Sequence, residues 1–223
     1  LVGSEMCIRD RPRKVRFKPR KEKSVPLKVD KSCRIGRNYE DYKLYRQNNP
    51  SQPVAELDSV EGIKGGSVLL TIHFVLPKLQ LAFLRDANDS KSVTDIFDAL
   101  YKLLGFENFT KILPICLADN GTEFSDPFGI EADSDGVIRS RLFYCDPSSP
   151  GQKGACENNH EFIRRIIPKS TDLGQYTQSQ IDIMMDHINS YGRPELGDKS
   201  PYEMFEFYYG CLLYTSPSPR DTR

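Results

Sequence analysis

Three acidic residues stand at positions where a metal site could form. Asp58 lies inside a short apolar segment, VAELDSVEG, where a buried carboxylate is costly unless it is paired or metal-bound. Asp119 directly follows the apolar run KILPICLA, and Glu157 follows a glycine-bearing loop near the start of a helical pattern. Divalent cations such as Mg²⁺ prefer oxygen ligands, and three carboxylates on separate elements can hold a pair of them. A lone carboxylate is more often a helix cap or a surface group, so the prediction of metal chemistry depends on the set.

No competing catalytic pattern occurs in the sequence. The chain has no glycine-rich phosphate loop, no Ser-His-Asp order and no His-rich zinc motif. Its six cysteines include no Cys-x-x-Cys pair, which argues against structural zinc and favours a reducing compartment. His73 and His187 have apolar neighbours, and we interpret them as core or surface residues rather than metal ligands.

The composition is that of a globular chain with unevenly distributed charge. The 223 residues are 38% hydrophobic and carry 31 basic and 31 acidic side chains, which excludes a disordered polyelectrolyte. No apolar run approaches the roughly 20 residues of a membrane helix, and the first eleven residues do not have the pattern of a secretory signal. Between Arg11 and Arg37, twelve Lys or Arg residues face only Glu22 and Asp30. This basic arm predicts non-specific DNA binding, with a solvated linker as the alternative.

The elements that must position the three carboxylates form an α/β pattern. Three apolar segments joined by short turns predict an antiparallel meander, and a fourth, after a helix, is expected to run parallel to an earlier strand. The strands are predicted at Val54–Ser59, Val68–Leu76, Leu79–Leu84, Lys111–Ala118 and Arg141–Cys145. Amphipathic and capped segments predict helices at Arg37–Arg46 and Ser92–Leu104, between about Lys153 and Pro168, and from about Thr177 and Ser200.

The two ends of the chain differ from the sequence between them. Residues 1–11 and 211–223 lack helical or strand periodicity and resemble translated adapter oligonucleotides of transposase-based sequencing libraries. We interpret both as artefacts of sequence assembly, against the alternative of genuine frayed termini. The rest divides into a basic lead-in over residues 12–53 and a catalytic core over residues 54–210. Within the lead-in, Tyr39, Tyr42 and Tyr45 have a three-residue spacing that predicts a docking face.

Five segments resemble the integrase catalytic core of bacterial insertion-sequence transposases, most closely the insertion-sequence-thirty family. They are LLTIHF, LAFLRDAN, LADNGTEF, FYCDPSSPGQKGACENNHEFIRRIIPK and INSYGRPELGDKSPYEMF, and the resemblance covers about Arg34 to Gly210. The DNG-x-EF segment followed by KG-x-x-EN is specific in combination, whereas either half alone is weak. The resemblance implies a ribonuclease H-like α/β fold, in which helices flank a mixed five-stranded sheet.

The resemblance also assigns the family's catalytic Asp, Asp and Glu to Asp58, Asp119 and Glu157. Thirty-seven residues separate the last two, which is long for the family, and the segment Glu131–Arg139 could absorb the excess as a hairpin. Glu161, one helical turn after Glu157, is the rival third ligand, but the KG-x-x-EN context favours Glu157. The site is further shaped by neighbours, for which Asn120, Gly121 and Asn158 are candidates. Family members often carry Asn where this chain has His160, so the role of His160 is open.

The implied activity is hydrolysis and strand transfer of DNA with two Mg²⁺ or Mn²⁺ ions. Water attack frees a 3′ hydroxyl, which then attacks target DNA, and Asp58 is expected to bridge the two ions. Basic residues near the Glu157 helix are candidates for phosphate contacts or, alternatively, an ordinary solvated face: Lys153, Arg164, Arg165 and Lys169. The resemblance further implies a bacterial, cytoplasmic and nucleoid-associated protein that binds DNA rather than membranes and forms homo-oligomers at full length. The alternatives are a nuclease without strand transfer and an inactive DNA-binding fragment.

Overall fold

A mixed five-stranded sheet forms the centre of the chain in the computed structural model. The structure describes residues 32–147 and 149–210 and, for Pro150 and residues 155–158, the backbone alone. The strands are β1 (Val54–Glu61), β2 (Val68–Phe74), β3 (Leu79–Arg85), β4 (Ile115–Ala118) and β5 (Arg141–Tyr144). Their spatial order is β3-β2-β1-β4-β5. The first three strands pair antiparallel, whereas β4 runs parallel to β1 and β5 runs parallel to β4. The predicted meander and mixed five-stranded sheet are confirmed.

Helices cover both faces of this sheet. They are α1 (Tyr39–Asn48), α2 (Ser90–Ile112), α3 (Pro127–Glu131), α4 (Gly154–Ile166), α5 (Gln178–Ser190) and α6 (Pro201–Tyr209). One face buries Leu57 and Ile72 against α2, α3 and α6, and the opposite face packs against α1, α4 and α5. Alternation along each strand supplies an apolar side chain to each layer, which explains why the central strands read as continuous apolar runs.

The helix starts that the sequence predicted near Thr177 and Ser200 are confirmed. Thr177 accepts a hydrogen bond from the backbone of Gln180, whose side chain accepts one from the Thr177 backbone in return. Ser200 and Glu203 form the same reciprocal capping box before α6. Such boxes satisfy two of the backbone N–H groups that a helix start leaves without partners.

Helix α2 differs from its prediction at both ends. It begins at Ser90 rather than Ser92 because the Asp89 side chain, not that of Ser92, accepts the capping hydrogen bond, from the Ser92 backbone at 2.8 Å. Gly105, with φ of 73°, interrupts the helix where the sequence predicted its end. The helix then continues to Ile112, because this second part buries Phe109 and Ile112 in the core. The predicted strand Lys111–Ala118 is therefore wrong in its first residues, and β4 begins at Ile115.

The lead-in helix α1 packs on the sheet through its tyrosines. The rings of Tyr42 and Tyr45 lie 5.8 and 5.4 Å from that of Phe143 on β5, which confirms the predicted docking face. On the other side of β5, the predicted hairpin within Glu131–Arg139 is a short turn closed by a single antiparallel bridge between Ala132 and Ile138. Both assumed assembly artefacts, and the basic arm before Ser32, lie outside the described residues. No helix within the described part of the chain is long and apolar enough to cross a membrane.

Candidate active site

Two of the three candidate carboxylates occupy neighbouring positions on the sheet. Leu57 and Ala118 form the last residue pair between the parallel strands β1 and β4. Asp58 and Asp119 take the next positions, on strands whose spacing is about 4.8 Å. Leu57 and Ala118 point into the core under α2, so alternation directs Asp58 and Asp119 to the opposite face, where α4 packs. The fold therefore brings together two acidic residues that are far apart in sequence.

Both oxygens of the Asp58 carboxylate have partners, although its side chain is 18% exposed. Oδ1 accepts a hydrogen bond from the Ser59 backbone at 2.8 Å. Oδ2 lies 3.4 Å from Nζ of Lys153 and 3.6 Å from Nδ1 of His160. The Lys153 ammonium also donates to the Leu57 carbonyl at 2.7 Å, so it is bound to two successive residues of β1.

Thr71 on β2 links the His160 ring to the backbone of Asp58. Its hydroxyl donates to the Asp58 carbonyl at 3.1 Å and lies 2.9 Å from Nε2 of His160, on the strand position directly opposite Asp58. Burial lowers the pKa of His160 below its usual 6.5, while the charge of Asp58 opposes that shift. Sequence reasoning left the role of His160 open. Its position three residues after Glu157 was the available signal, because that spacing keeps it on the same side of a helix.

The loop after β4 is fixed by hydrogen bonds on both sides of Asp119. Oδ1 of Asp119 accepts from the Gly121 backbone at 2.9 Å, and the Asn120 amide donates to the Cys145 carbonyl at 2.7 Å. Arg34, from the lead-in, donates to the Asn120 carbonyl at 3.0 Å. A Cβ at position 121 would meet the carboxylate of Glu123, so a larger residue there would require the Glu123 side chain to shift.

Two buried residues of opposite charge, Glu123 and Arg85, lie near the site and were missed by sequence reasoning. Glu123 and Arg85 are 6% and 3% exposed. Burial lowers the pKa of Arg85, and the charge of Glu123 partly reverses that shift. Arg85 donates to the hydroxyl of Ser59 at 2.9 Å, directly beside Asp58. The signal was available in the segments LAFLRDAN and LADNGTEF, whose charged residues directly follow or interrupt apolar runs.

The known proteins that the chain resembles in sequence include transposases. No protein-family model matches the chain. The chain is 41% identical over 66 residues to the transposase InsI for insertion sequence element IS30A of Escherichia coli strain K12, a match that covers 30% of this chain and 17% of that protein. It is 26% identical over 151 residues to the transposase for insertion sequence element IS4351 of Bacteroides fragilis, covering 68% and 44% of the two chains.

The chain contains a transposase/integrase catalytic domain. The resemblance seen in the sequence motifs is thereby confirmed. The fold of this domain is similar to that of a chain in the simian T-cell lymphotropic virus intasome complexed with PP2A regulatory subunit B56 gamma, with a TM-score of 0.50 and 13% identity over 74% of this chain and 56% of that one. That similarity, with the sheet order, shows the ribonuclease H-like fold. The matches span less than half the length of either transposase.

Glu157 lies in the first half of α4 of the transposase/integrase domain, and its side chain is outside the described part. Arg164, seven residues later, donates to the Glu61 carbonyl of β1 at 2.6 Å. Glu161 is partly buried. Among the side chains that the structure describes, no group of three His, Cys, Asp or Glu could hold a metal ion. The convergence of Asp58, Asp119 and Glu157 therefore stays a prediction.

The four basic residues predicted to contact DNA fall into two pairs in the transposase/integrase domain. Lys153 is 6% exposed and bound to β1, and Arg164 is partly buried by its contact with Glu61, with its pKa lowered by burial. Arg165 and Lys169 are exposed, and the guanidinium of Arg165 lies 5.3 Å from the centre of the Phe162 ring. The exposed pair is thus accessible to a phosphate backbone without rearrangement.

Proposed function

We propose that this domain catalyses metal-dependent cleavage and strand transfer of DNA in transposition, with Asp58, Asp119 and Glu157 as its catalytic carboxylates. The observation that carries the proposal is that Asp58 and Asp119 each follow directly on the last residue pair that joins the parallel strands β1 and β4. Asp119 lies just beyond the carboxyl end of β4, the kind of position where α/β folds assemble their sites. The similarity to two transposases supports the same chemistry.

The donor set fits Mg²⁺ or Mn²⁺. Asp58 already lies beside a positive charge of the protein itself, because the Lys153 ammonium is 3.4 Å from its carboxylate. Carboxylate oxygens are the ligands that such ions prefer. Asp58, Asp119 and Glu157 would hold the ions. When bound, the ions supply activation of the attacking oxygen and stabilisation of the leaving one.

The position of Glu157 along α4 supports it as the third ligand. Glu157 precedes Arg164 by seven residues, or nearly two helical turns, so both lie on the side of α4 that reaches β1 through Arg164. Glu161 lies about 60° around the helix from Arg164. This helical spacing favours Glu157 over Glu161 as the third ligand.

Other side chains of the domain orient the reacting groups. Thr71 bonds to the backbone carbonyl of Asp58 and contacts His160, which lies beside the Asp58 carboxylate. Asn120 fixes the loop that carries Asp119. Arg165 and Lys169 would bind DNA phosphates, which positions the duplex without reading its sequence. The partners of the complete protein are then transposon ends and target DNA, and a homo-oligomer would bring two ends together.

A branched DNA that mimics the strand-transfer product tests the proposal without knowledge of the transposon ends. Transesterification is reversible, so a domain that joins strands should also release the branch and reseal the interrupted strand. We expect Mg²⁺- or Mn²⁺-dependent resealed product from the wild-type chain and none from Asp58→Asn. Shortened strands without resealing would instead indicate a nuclease without strand transfer, and DNA binding without any product would indicate an inactive binding fragment.

A further inference from the structure

Lys153 is a buried lysine at the edge of the candidate metal site. It ends the short 3-10 helix Pro150–Lys153, directly before α4, and is 6% exposed. Lysine is almost never fully buried unless its ammonium is paired, because removing the charge from water is costly. The pairing here is with β1, on the face of the sheet where Asp119 also lies.

The ammonium of Lys153 binds the kind of atoms that a divalent cation would take. It donates to the Leu57 carbonyl oxygen at 2.7 Å and lies 3.4 Å from Oδ2 of Asp58. A basic side chain that served only to bind phosphate would be exposed to solvent, as those of Arg165 and Lys169 are. Lys153 instead turns inward and places a positive charge against the carboxylate that we propose as a metal ligand.

The carboxylates need such a charge when no metal is bound. Asp58 and Asp119 directly follow the last residue pair that joins β1 and β4, and like charges at neighbouring positions repel each other. One ammonium against Asp58 offsets part of that repulsion. The second neighbour of Oδ2, His160, lies at 3.6 Å, so Lys153 is the closer of the two cation-forming groups that face this oxygen.

We propose that Lys153 is an internal counter-ion, which neutralises Asp58 in the metal-free domain and competes with a divalent cation for the same carboxylate oxygen. The inference rests on the proposed function, since it takes Asp58 as a metal ligand. It assigns Lys153 a positioning role within the site. Its charge stabilises the metal-free fold and weakens metal binding, so its removal should shift these two properties in opposite directions.

The test compares metal binding and metal-free stability of the full chain and its variants. Lys153→Gln keeps a hydrogen-bond donor for the Leu57 carbonyl but removes the charge, and Lys153→Met serves as a second variant should the first fail to fold. Lys169→Gln is the matched control, because it removes an exposed lysine and changes the net charge equally. Mn²⁺ affinity is measured by titration calorimetry, and melting temperature by circular dichroism in a chelator.

We expect Lys153→Gln to bind Mn²⁺ about tenfold more tightly than Lys169→Gln, which corresponds to about 1.4 kcal/mol. In the chelator it should melt at a lower temperature than the control. The same substitution made in Asp58→Asn should lower the melting temperature less, since the pair is already broken. Equal or weaker Mn²⁺ affinity in Lys153→Gln than in the control would overturn the inference. Unchanged Mn²⁺ binding by Asp58→Asn would instead overturn the metal site and, with it, the proposed function.

Discussion

Asp58 and Asp119 each stand one residue beyond the last pair that joins two parallel strands, Leu57 of β1 with Ala118 of β4. Sixty residues separate them in the sequence, so nothing in local conformation requires this placement. Sheet register alone sets it, and a one-residue slip of β4 would turn Asp119 to the opposite face. The sheet register therefore fixes which backbone positions of the site are neighbours.

Neutralising either aspartate should abolish DNA chemistry while leaving the fold intact. Asp58→Asn and Asp119→Asn keep the side-chain shape but remove the charge that binds a divalent cation. We expect cleavage and resealing of branched DNA to fall by at least about 100-fold, since even groups that only support metal ligands cost 10–100-fold. Asp135→Asn, an exposed aspartate on the turn after α3, is the control and should retain activity. Wild-type rates in Asp119→Asn would exclude it from the site.

The third ligand can be identified by a pair of matched substitutions on one helix. Glu157→Gln and Glu161→Gln change the same chemical group four residues apart on α4. We expect Glu157→Gln to lose activity to the same extent as the aspartate variants and to lose one Mn²⁺-binding event in calorimetry. Glu161→Gln should keep most of its activity. The reverse pattern would transfer the role of third ligand to Glu161.

His73 should make the fold sensitive to mild acid. Burial, aided by the charge of Arg193, lowers its pKa from 6.5 to about 3. Nδ1 of His73 lies 2.9 Å from the Asn159 amide nitrogen, and Arg193 donates to the amide oxygen at 2.7 Å, which fixes the amide and leaves Nδ1 as the acceptor. A ring that accepts at Nδ1 must be neutral there. Below pH 6.5 the unfolded chain therefore binds a proton that the folded chain does not.

Because the folded pKa is depressed, the contribution of neutral His73 to stability is fully present above pH 6.5 and is lost as the pH falls toward 3. At pH 5 the loss amounts to about 2 kcal/mol, from about 1.36 kcal/mol per pH unit. His73→Gln, which cannot titrate, should lose correspondingly less of its free energy of unfolding between pH 7 and pH 5. Denaturant melts at both pH values measure this difference. Parallel losses in the variant and the wild type would show that His73 does not set the acid response.

The basic arm should contribute DNA affinity that does not depend on sequence. The structure describes two of its twelve basic residues, and both are engaged within the fold. Arg37 pairs with Glu131 at 2.6 Å, and Arg34 donates to the Asn120 carbonyl. Seven others lie between positions 13 and 23. Replacing these seven with Gln should weaken binding equally for unrelated duplexes. It should also make the log–log salt dependence shallower by about 0.9 for each phosphate that the arm no longer neutralises. An unchanged salt slope would show that the arm is a linker.

The fold followed from the sequence wherever a local pattern and the tertiary environment agreed. Apolar runs predicted all five strands, and the capping pairs at Thr177 and Ser200 predicted two helix starts, because strands and caps are encoded over a few residues. The continuation of α2 beyond Gly105 was missed, since a glycine with positive φ ends most helices and only the burial of Phe109 and Ile112 restores this one.

The site was only half visible in the sequence for a related reason. A carboxylate within or directly after an apolar run is conspicuous in a sequence, so Asp58 and Asp119 could be chosen from pattern and resemblance. The inward turn of Lys153 and the hydrogen bond between Arg85 and Ser59 depend on which groups meet after folding. Basic residues in a helical or turn-rich segment are usually interpreted as part of a solvated surface. The neighbouring sequence does not distinguish a buried lysine from an exposed one.

A crystal structure with Mn²⁺ would decide whether Asp58, Asp119 and Glu157 converge on one metal site. Anomalous scattering locates Mn²⁺ independently of the protein density. We predict one or two anomalous peaks in contact with these three carboxylates, at the oxygen distances of about 2.0–2.6 Å that hard divalent cations adopt. A peak coordinated by Glu161 in place of Glu157, or by neither Asp58 nor Asp119, would contradict this assignment.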